Sequence, residues 1–456
     1  LKEPPASRGP PFDALQWQRE NKGKVAEVIG NNPSDRFVKA VMFSPAPTMQ
    51  CAEQLLHLHA LDACHLSWGN ATLYSAYSLN SNKNAVCLSH SIVFGNEDYE
   101  SWKTFLTFVR RCYPTLNASH VTIVSDQDKG IKRAVEEVMS FASHFYCAKH
   151  RAENVKKHCK AACKDAFLET VNAMTMDELA RCKQKYLTDP GISERHCQYL
   201  GNVDDDKQYP IANIILNKTK MYGRSTSSFI ESMNEANRPI RKIKKLDAFN
   251  AILELLGLEM KRYLKICSAA NATTHVLVRW AFDEYNHLLT KSSQLRLQVN
   301  VLDGNVYGEV RSSTTSFEVR LGGSNEPGGR FGTCSCGRPQ FSEFPWIHMV
   351  CFANHQLFDV QLVVPLWCHT STWKLQYPMD ARHAVPSAAS IKNKVADKNL
   401  RLPPIAPDCR GRPRQTCHRS SGEQWRSIRH CTMCFATDHD IQKCPDNPSN
   451  VNQHIV

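Results

Sequence analysis

Val121-Thr-Ile-Val-Ser-Asp-Gln-Asp-Lys-Gly130, followed by Ser143-His-Phe-Tyr-Cys-Ala-Lys-His-Arg-Ala-Glu-Asn154, is the stretch on which the reading of the chain turns. Val121, Ile123 and Val124 read as a short buried strand. It ends on Ser125, Asp126, Gln127 and Asp128, so it delivers carboxylates to its carboxyl end, where open α/β sheets place their sites. Residues 129–140 follow at helical spacing, with Ile131, Ala134, Val135, Val138 and Met139 on one face. A second apolar strand over 143–147 then runs into Cys147-x-x-His150.

A strand-end aspartate often does no more than cap the next helix, and that role suits Asp128. Asp126 reads differently because a second acid stands upstream in similar surroundings. Leu55 to Leu61 predicts an apolar strand that ends at Asp62-Ala-Cys-His65. Two carboxylates at the ends of neighbouring strands suit Mg²⁺, which takes oxygen ligands, only one or two of them carboxylates, and completes its shell with substrate phosphate. Alternation with period two predicts strands over 71–79 and 85–94. Trp102, Phe105, Leu106 and Val109 fall at helical spacing within 98–112 and are expected to pack the core.

The predicted order strand, strand, strand, helix, strand, helix, strand is that of an RNase H-like domain. The motifs resemble the catalytic domain of Mutator-like (MULE) transposases: Asp62-Ala-Cys-His-Leu66, then Ser91 to Leu106, then Ser125-Asp-Gln-Asp-Lys-Gly130, then Cys147 with His150, then Thr226-Ser-Ser-Phe-Ile-Glu-Ser-Met-Asn234. The resemblance spans about residues 55 to 365. It implies an α/β fold, an RNase H-like DDE core with an all-helical insertion, followed by small zinc-binding modules. It makes Asp62, Asp126 and Glu231 the catalytic acids, with Glu235 one turn on as the local competitor of Glu231. Cys147 and His150 become the family's Cys-x-x-His pair, structural or DNA-positioning. The core's first part is expected over 50–150, the insertion over 151–220, and the helix of the third acid over 221–270.

Lys plus Arg number 56 against 44 acids, a net charge of +12. That balance favours an anionic partner without proving one. Arg238, Arg241, Lys242, Lys244 and Lys245 follow the third acid closely and are expected to contact phosphates. The next residues, 246–266, read as an amphipathic helix. Nineteen cysteines are spread over the chain. No hydrophobic signal opens the sequence and no apolar run reaches the roughly 18 residues of a membrane span, so reduced thiols and zinc ligands are expected rather than a disulfide framework. Residues 1–49 are expected to be a partly disordered N-terminal segment, with one short helix over 17–29. The family resemblance implies a longer DNA-binding region there, which points to a fragment or a decayed copy.

Towards the C-terminus, a connecting region over 271–325 is expected to end in a hairpin before Cys334-Ser-Cys336. With His348, these cysteines resemble a SWIM zinc finger over 326–365. Trp346 occupies its third ligand position, and Cys351, on the same helical face as His348, is the candidate replacement. A basic Pro- and Ser-rich linker is expected over 366–428. In it, Arg410-Gly-Arg-Pro-Arg414 resembles an AT-hook core, whose Arg412 and Arg414 would enter a narrow minor groove. Cys431, Cys434, His439 and Cys444, within 429–446, have the spacing of a CCHC zinc knuckle, whose three thiolates and one imidazole close a tetrahedral shell. Phe435 is its candidate for stacking on single-stranded nucleic acid.

The expected function is DNA transposition: two Mg²⁺ or Mn²⁺ ions on the three acids, structural Zn²⁺ in the C-terminal modules, and DNA (element ends and target) as partner. A homo-oligomer, a nuclear location and no membrane association complete that expectation. A domesticated or decayed regulator that binds DNA without cutting it is the alternative. An RNA-binding knuckle protein is a third reading, which leaves the acids idle.

Overall fold

The computed structural model describes residues 25–30, 38–66, 71–159, 161–189, 192–241, 248–295, 297–304, 306–312, 314–322 and 332–377. The chain divides into two units, 1–408 and 409–456, and all described residues belong to the first. Lys242, Lys244, Lys245, Arg412, Arg414 and the whole Cys431–Cys434–His439–Cys444 motif lie outside the described residues.

The centre is a seven-stranded mixed sheet of β1 (Val25–Gly30), β2 (Val38–Ser44), β3 (Leu58–His65), β4 (Ala71–Leu79), β5 (Ala85–Phe94), β6 (Thr122–Ser125) and β7 (Ser143–Tyr146). Its order is β1-β2-β5-β4-β3-β6-β7. Strands β6 and β7 run parallel to β3, and the remaining pairs are antiparallel. The mixed α/β class expected from the sequence is the class observed. β1 and β2 correct the expectation for the N-terminal segment: residues 25–29 are strand, not helix. Val25, Val28 and Ile29 suit helical spacing as well as strand, and a short apolar run cannot separate the two. Pairing with β2, the next strand along the chain, decides it.

Side-chain alternation sorts the two faces. On one face Leu61, Tyr74 and Ile123 join Trp102, Phe105 and Val109 of α1 (Tyr99–Cys112) and Ile131 and Val135 of α2 (Lys129–Val138) in one buried cluster. On the other, Leu58, Ala60, Val124 and Phe145 pack on Phe229 and Ile230. These two belong to α4 (Ser228–Ala236), which is reached from β7 through α3 (Ala148–His158) and the insertion. Burying a side chain such as Phe229 or Ile230 contributes roughly 1.5–3 kcal/mol, enough to fix the helix on the sheet. The insertion has a core of its own, including Phe167, Leu179, Tyr186, Leu200 and Tyr209. α5 (Ala248–Ala272) covers Val41, Phe43, Leu73 and Ile92 with Ala251, Leu255 and Leu256.

The connecting region contains more than a hairpin: α6 (Arg279–Gln294) and the strands β8 (Gln298–Asp303), β9 (Tyr307–Arg311) and β10 (Ser316–Arg320). These strands form an antiparallel sheet with β11 (Thr333–Cys334). α7 (Ile347–His355) packs on it. The expected linker from 366 begins too early. Cys368, Trp373 and Tyr377 are buried, Tyr377 Oη accepts from Asn80 Nδ2 at 2.9 Å, and Gln376 Oε1 accepts from Ser81 N–H at 2.9 Å. The aromatic side chains at 373 and 377 have a core to fill, and they hold this segment against the β4–β5 turn. No described helix is long and apolar enough to cross a membrane.

Candidate functional site

Register places the first two acids side by side. β3 and β6 pair in parallel with Ala60 opposite Val124; two residues further on each chain stand Asp62 and Asp126. Asp62 lies inside β3 rather than at its end, since the strand continues to His65. By alternation Asp62 shares the face of Leu58 and Ala60, the face that α4 covers. Glu231 and Asn234, one turn apart on α4, therefore meet the acids from above. Asn234 Nδ2 donates to Asp62 Oδ2 at 2.7 Å, and Ala63 N–H donates to Oδ1 at 3.0 Å.

Like charges crowd this face. Burial and then Asp126 push the Asp62 carboxyl up to about 7, with Glu231 adding to the shift and His150 and Asn234 opposing it. Burial also raises Asp126, against Asp128 N–H at 3.3 Å and His150. Asp128 itself caps α2, accepting from Gly130 N–H at 2.7 Å. A Cβ on Gly130 would lie 3.0 Å from Tyr99 N and 3.1 Å from Asp98 C. Glycine there lets the loop before α1 close on the Asp126 loop.

That approach brings in an acid that the sequence reading passed over. Burial and then Asp126 push Glu97 up to about 7, against a hydrogen bond of 3.1 Å from Trp102 Nε1. Its place two residues before the N-terminus of α1, beside a candidate acid loop, was the available signal.

Glu231 is held from α3. Lys149 Nζ lies 2.6 Å from Oε2 and His150 Nε2 lies 3.5 Å from Oε1. Glu231 Oε1 and His150 Nδ1 are buried without a hydrogen-bond partner. Cys147 is the N-cap residue of α3, and its Sγ accepts from Ser227 N–H at 3.3 Å. Burial pushes this thiol up, but His150 and Ser227 outweigh it and the net direction is down. The thiol in turn raises His150 to about 9. Glu235, the competitor, is exposed and pairs with Arg238 at 2.8 Å. Arg241 Nη1 donates to Asn234 O at 3.2 Å.

A second cluster lies between β11 and α7, where ligand atoms of Cys334, Cys336 and His348 fall within 4.8 Å of one another. Cys334 Sγ is 3.5 Å from His348 Nδ1. Cys334 and then His348 pull the Cys336 thiol down against its burial. Phe317 stacks on His348 with ring centroids 3.9 Å apart. Cys351, expected as a fourth ligand, is not one of the three residues brought together. Trp346 is the N-cap residue of α7 and lies under the Arg338 guanidinium at 5.5 Å.

Residues 60–154 match the family model described as the MULE transposase domain. The chain thus carries a MULE transposase domain, and the matched segment contains Asp62, Glu97, Asp126, Cys147 and His150. No curated protein matches the chain.

Proposed function

We propose that the chain is a Mutator-like DNA transposase of the DDE type, with Asp62, Asp126 and Glu231 as its catalytic acids. The observation that carries this reading is the pairing of Asp62 with Asp126 across parallel strands, beneath the helix that bears Glu231, in a chain whose residues 60–154 match the MULE domain. The strand order β5-β4-β3-β6-β7 supports an RNase H-like core.

The acids fit a divalent cation. Burial disfavours both ionised aspartates, and the charge of Asp126 adds to the shift of Asp62, while a buried Glu231 Oε1 has no hydrogen-bond donor. A cation relieves both penalties. Asp62, Asp126 and Glu231 would hold two Mg²⁺ or Mn²⁺ ions. Bound there, such ions supply an activated hydroxyl and stabilise the leaving oxygen of a phosphodiester. The chain's own groups do the rest. Asn234 fixes the Asp62 carboxylate through its 2.7 Å hydrogen bond. Lys149 and His150 set the position of Glu231. Arg238 and Arg241, at the end of α4, would take DNA phosphates. The overall chemistry is hydrolysis at the element end, then attack of the freed 3′-hydroxyl on target DNA.

Cys334, Cys336 and His348 would hold Zn²⁺ with three ligands and one open position; Cys351 has no part in that proposal. A homo-oligomer acting in the nucleus on paired element ends is part of the same reading. One observation favours the alternative, a transposase-derived DNA-binding regulator without catalysis: Glu231 is engaged by Lys149. Nicking of supercoiled plasmid in Mn²⁺ separates the two. Glu231→Gln is expected to abolish nicking and Glu235→Gln to retain it. Plasmid binding without nicking by the wild type would establish the regulator instead.

A further inference from the structure

We infer that Cys147, His150 and Glu231 form a binding site for a thiophilic divalent cation of the zinc type, and that this ion withdraws the third acid from the other two. The ligand atoms of these three residues lie within 4.8 Å of one another. Cys147 and His150 stand three residues apart at the start of α3 and share a face; Glu231 reaches them from α4. Sulfur, imidazole and carboxylate with an open fourth position are a donor set for zinc. They do not suit Mg²⁺, which requires oxygen ligands in octahedral array.

Two atoms of the cluster lack a hydrogen bond, with His150 Nε2 standing 3.5 Å from Glu231 Oε1. Glu231 Oε1 and His150 Nδ1 are both buried without a hydrogen-bond partner. Lys149 occupies Oε2, so a cation would take the opposite oxygen. Cys87, His90 and Glu259, a fully buried cluster of the same composition, differ. There His90 Nδ1 faces Ser75 at 2.8 Å, His90 Nε2 faces Tyr77 at 3.2 Å, and Glu259 Oε1 is taken by Tyr77 and Arg262. Both imidazole nitrogens and Glu259 Oε1 of that cluster are therefore engaged.

With Lys149 on Oε2, Glu231 has one oxygen, Oε1, to offer, and an ion on the triad would take it from the acid site. Zinc on the triad would keep it beside α3 and leave Asp62 and Asp126 without their third partner. The inhibitory consequence rests on Glu231 being the third acid; the metal site does not.

The test uses the full chain, equilibrated with Zn²⁺ and freed of excess ion, with the metal counted by elemental analysis. Cys147→Ser and His150→Gln are each expected to hold one ion fewer than wild type. The same number in both folded variants would overturn the site. Wild-type protein gives a second readout independent of folding defects. Zn²⁺ should slow alkylation of Cys147, followed by mass spectrometry, roughly tenfold or more, the factor that about 1.4 kcal/mol produces. Equal rates with and without zinc would also overturn it. Where nicking in Mn²⁺ is present, zinc should suppress it, and Cys147→Ser should need a higher zinc concentration for the same suppression. One ion lost from the variants, in a wild type that does not nick in Mn²⁺ even when freed of zinc, would keep the metal site and remove the transposase reading.

Discussion

Asp62 concentrates the physical problem of the site in one side chain. Its folded carboxyl titrates near 7, against an ordinary value of 3.8. A carboxyl raised on folding favours the native state at low pH, and that contribution is lost as pH climbs from about 4 through about 7. At pH 8 without metal, Asp62 therefore opposes folding. Asp62→Asn should raise stability there by about 1–2 kcal/mol, read by thermal melting, and the gain should vanish at pH 4. Added Mn²⁺ should stabilise wild type more than the variant. A variant that is less stable at pH 8 would mean that the 2.7 Å bond from Asn234, not the charge repulsion, dominates. This residue was legible in the sequence because it stands beside an apolar strand and within a family motif. Glu97 was not, because its approach to Asp126 depends on how two loops pack around Gly130, and no spacing along the chain encodes that.

Among the elements, α4 depends on a buried polar network beneath it. Asn237, its C-cap residue, accepts from Arg262 Nη2 at 3.0 Å and lies 3.5 Å from Tyr77 Oη. Tyr77 donates to Glu259 at 2.6 Å, and Arg262 pairs with the same carboxylate. His90 stands 3.5 Å from it and lies against Ser75. Burial raises Glu259, but His90, Arg262 and Tyr77 outweigh it and keep it ionised. Removing one partner of such a pair strands the other. Glu259→Ala should destabilise by about 3–5 kcal/mol, measured by denaturant unfolding, and Glu259→Gln by clearly less. Equal and small losses would show that the network carries little of the packing of α4. The strands and helices that bear these residues follow from hydrophobic spacing. The network does not, since Tyr77 and Glu259 are 182 residues apart. β1 illustrates the same limit, because its six residues become strand through β2 and not through their own pattern.

For the whole molecule, acid sensitivity should come partly from two histidines that hold no charge in the native state. Burial first, then neighbouring positive groups, push His59 and His144 down to about 3 from 6.5. Between those values the unfolded chain binds protons that the folded chain does not, so stability falls as pH drops below about 6.5. Each group should contribute a slope of at most about 1.4 kcal/mol per pH unit. Asp62 and Glu97, raised to about 7, act in the opposite sense over the same range, so the histidine contribution is read as a difference: from pH 7.5 to 5 the unfolding free energy of wild type should fall relative to that of His144→Gln, and parallel profiles would contradict it. At this scale the sequence revealed the sheet that carries the acids better than the assembly around it. Strands over 71–79 and 85–94 matched the observed elements closely. The return of residues 366–377 to the β4–β5 turn did not show, because it rests on contacts nearly 300 residues apart along the chain, such as Asn80 with Tyr377.

The central claim is that Asp62 and Asp126, paired across β3 and β6 under the helix of Glu231, form a working acid–metal centre. Nicking of supercoiled plasmid by the full chain in Mn²⁺, compared with Asp126→Ala at matched folding, tests it most directly. Nicking by wild type that falls to background in the variant is the predicted result. Nicking at the same rate in both proteins would contradict it.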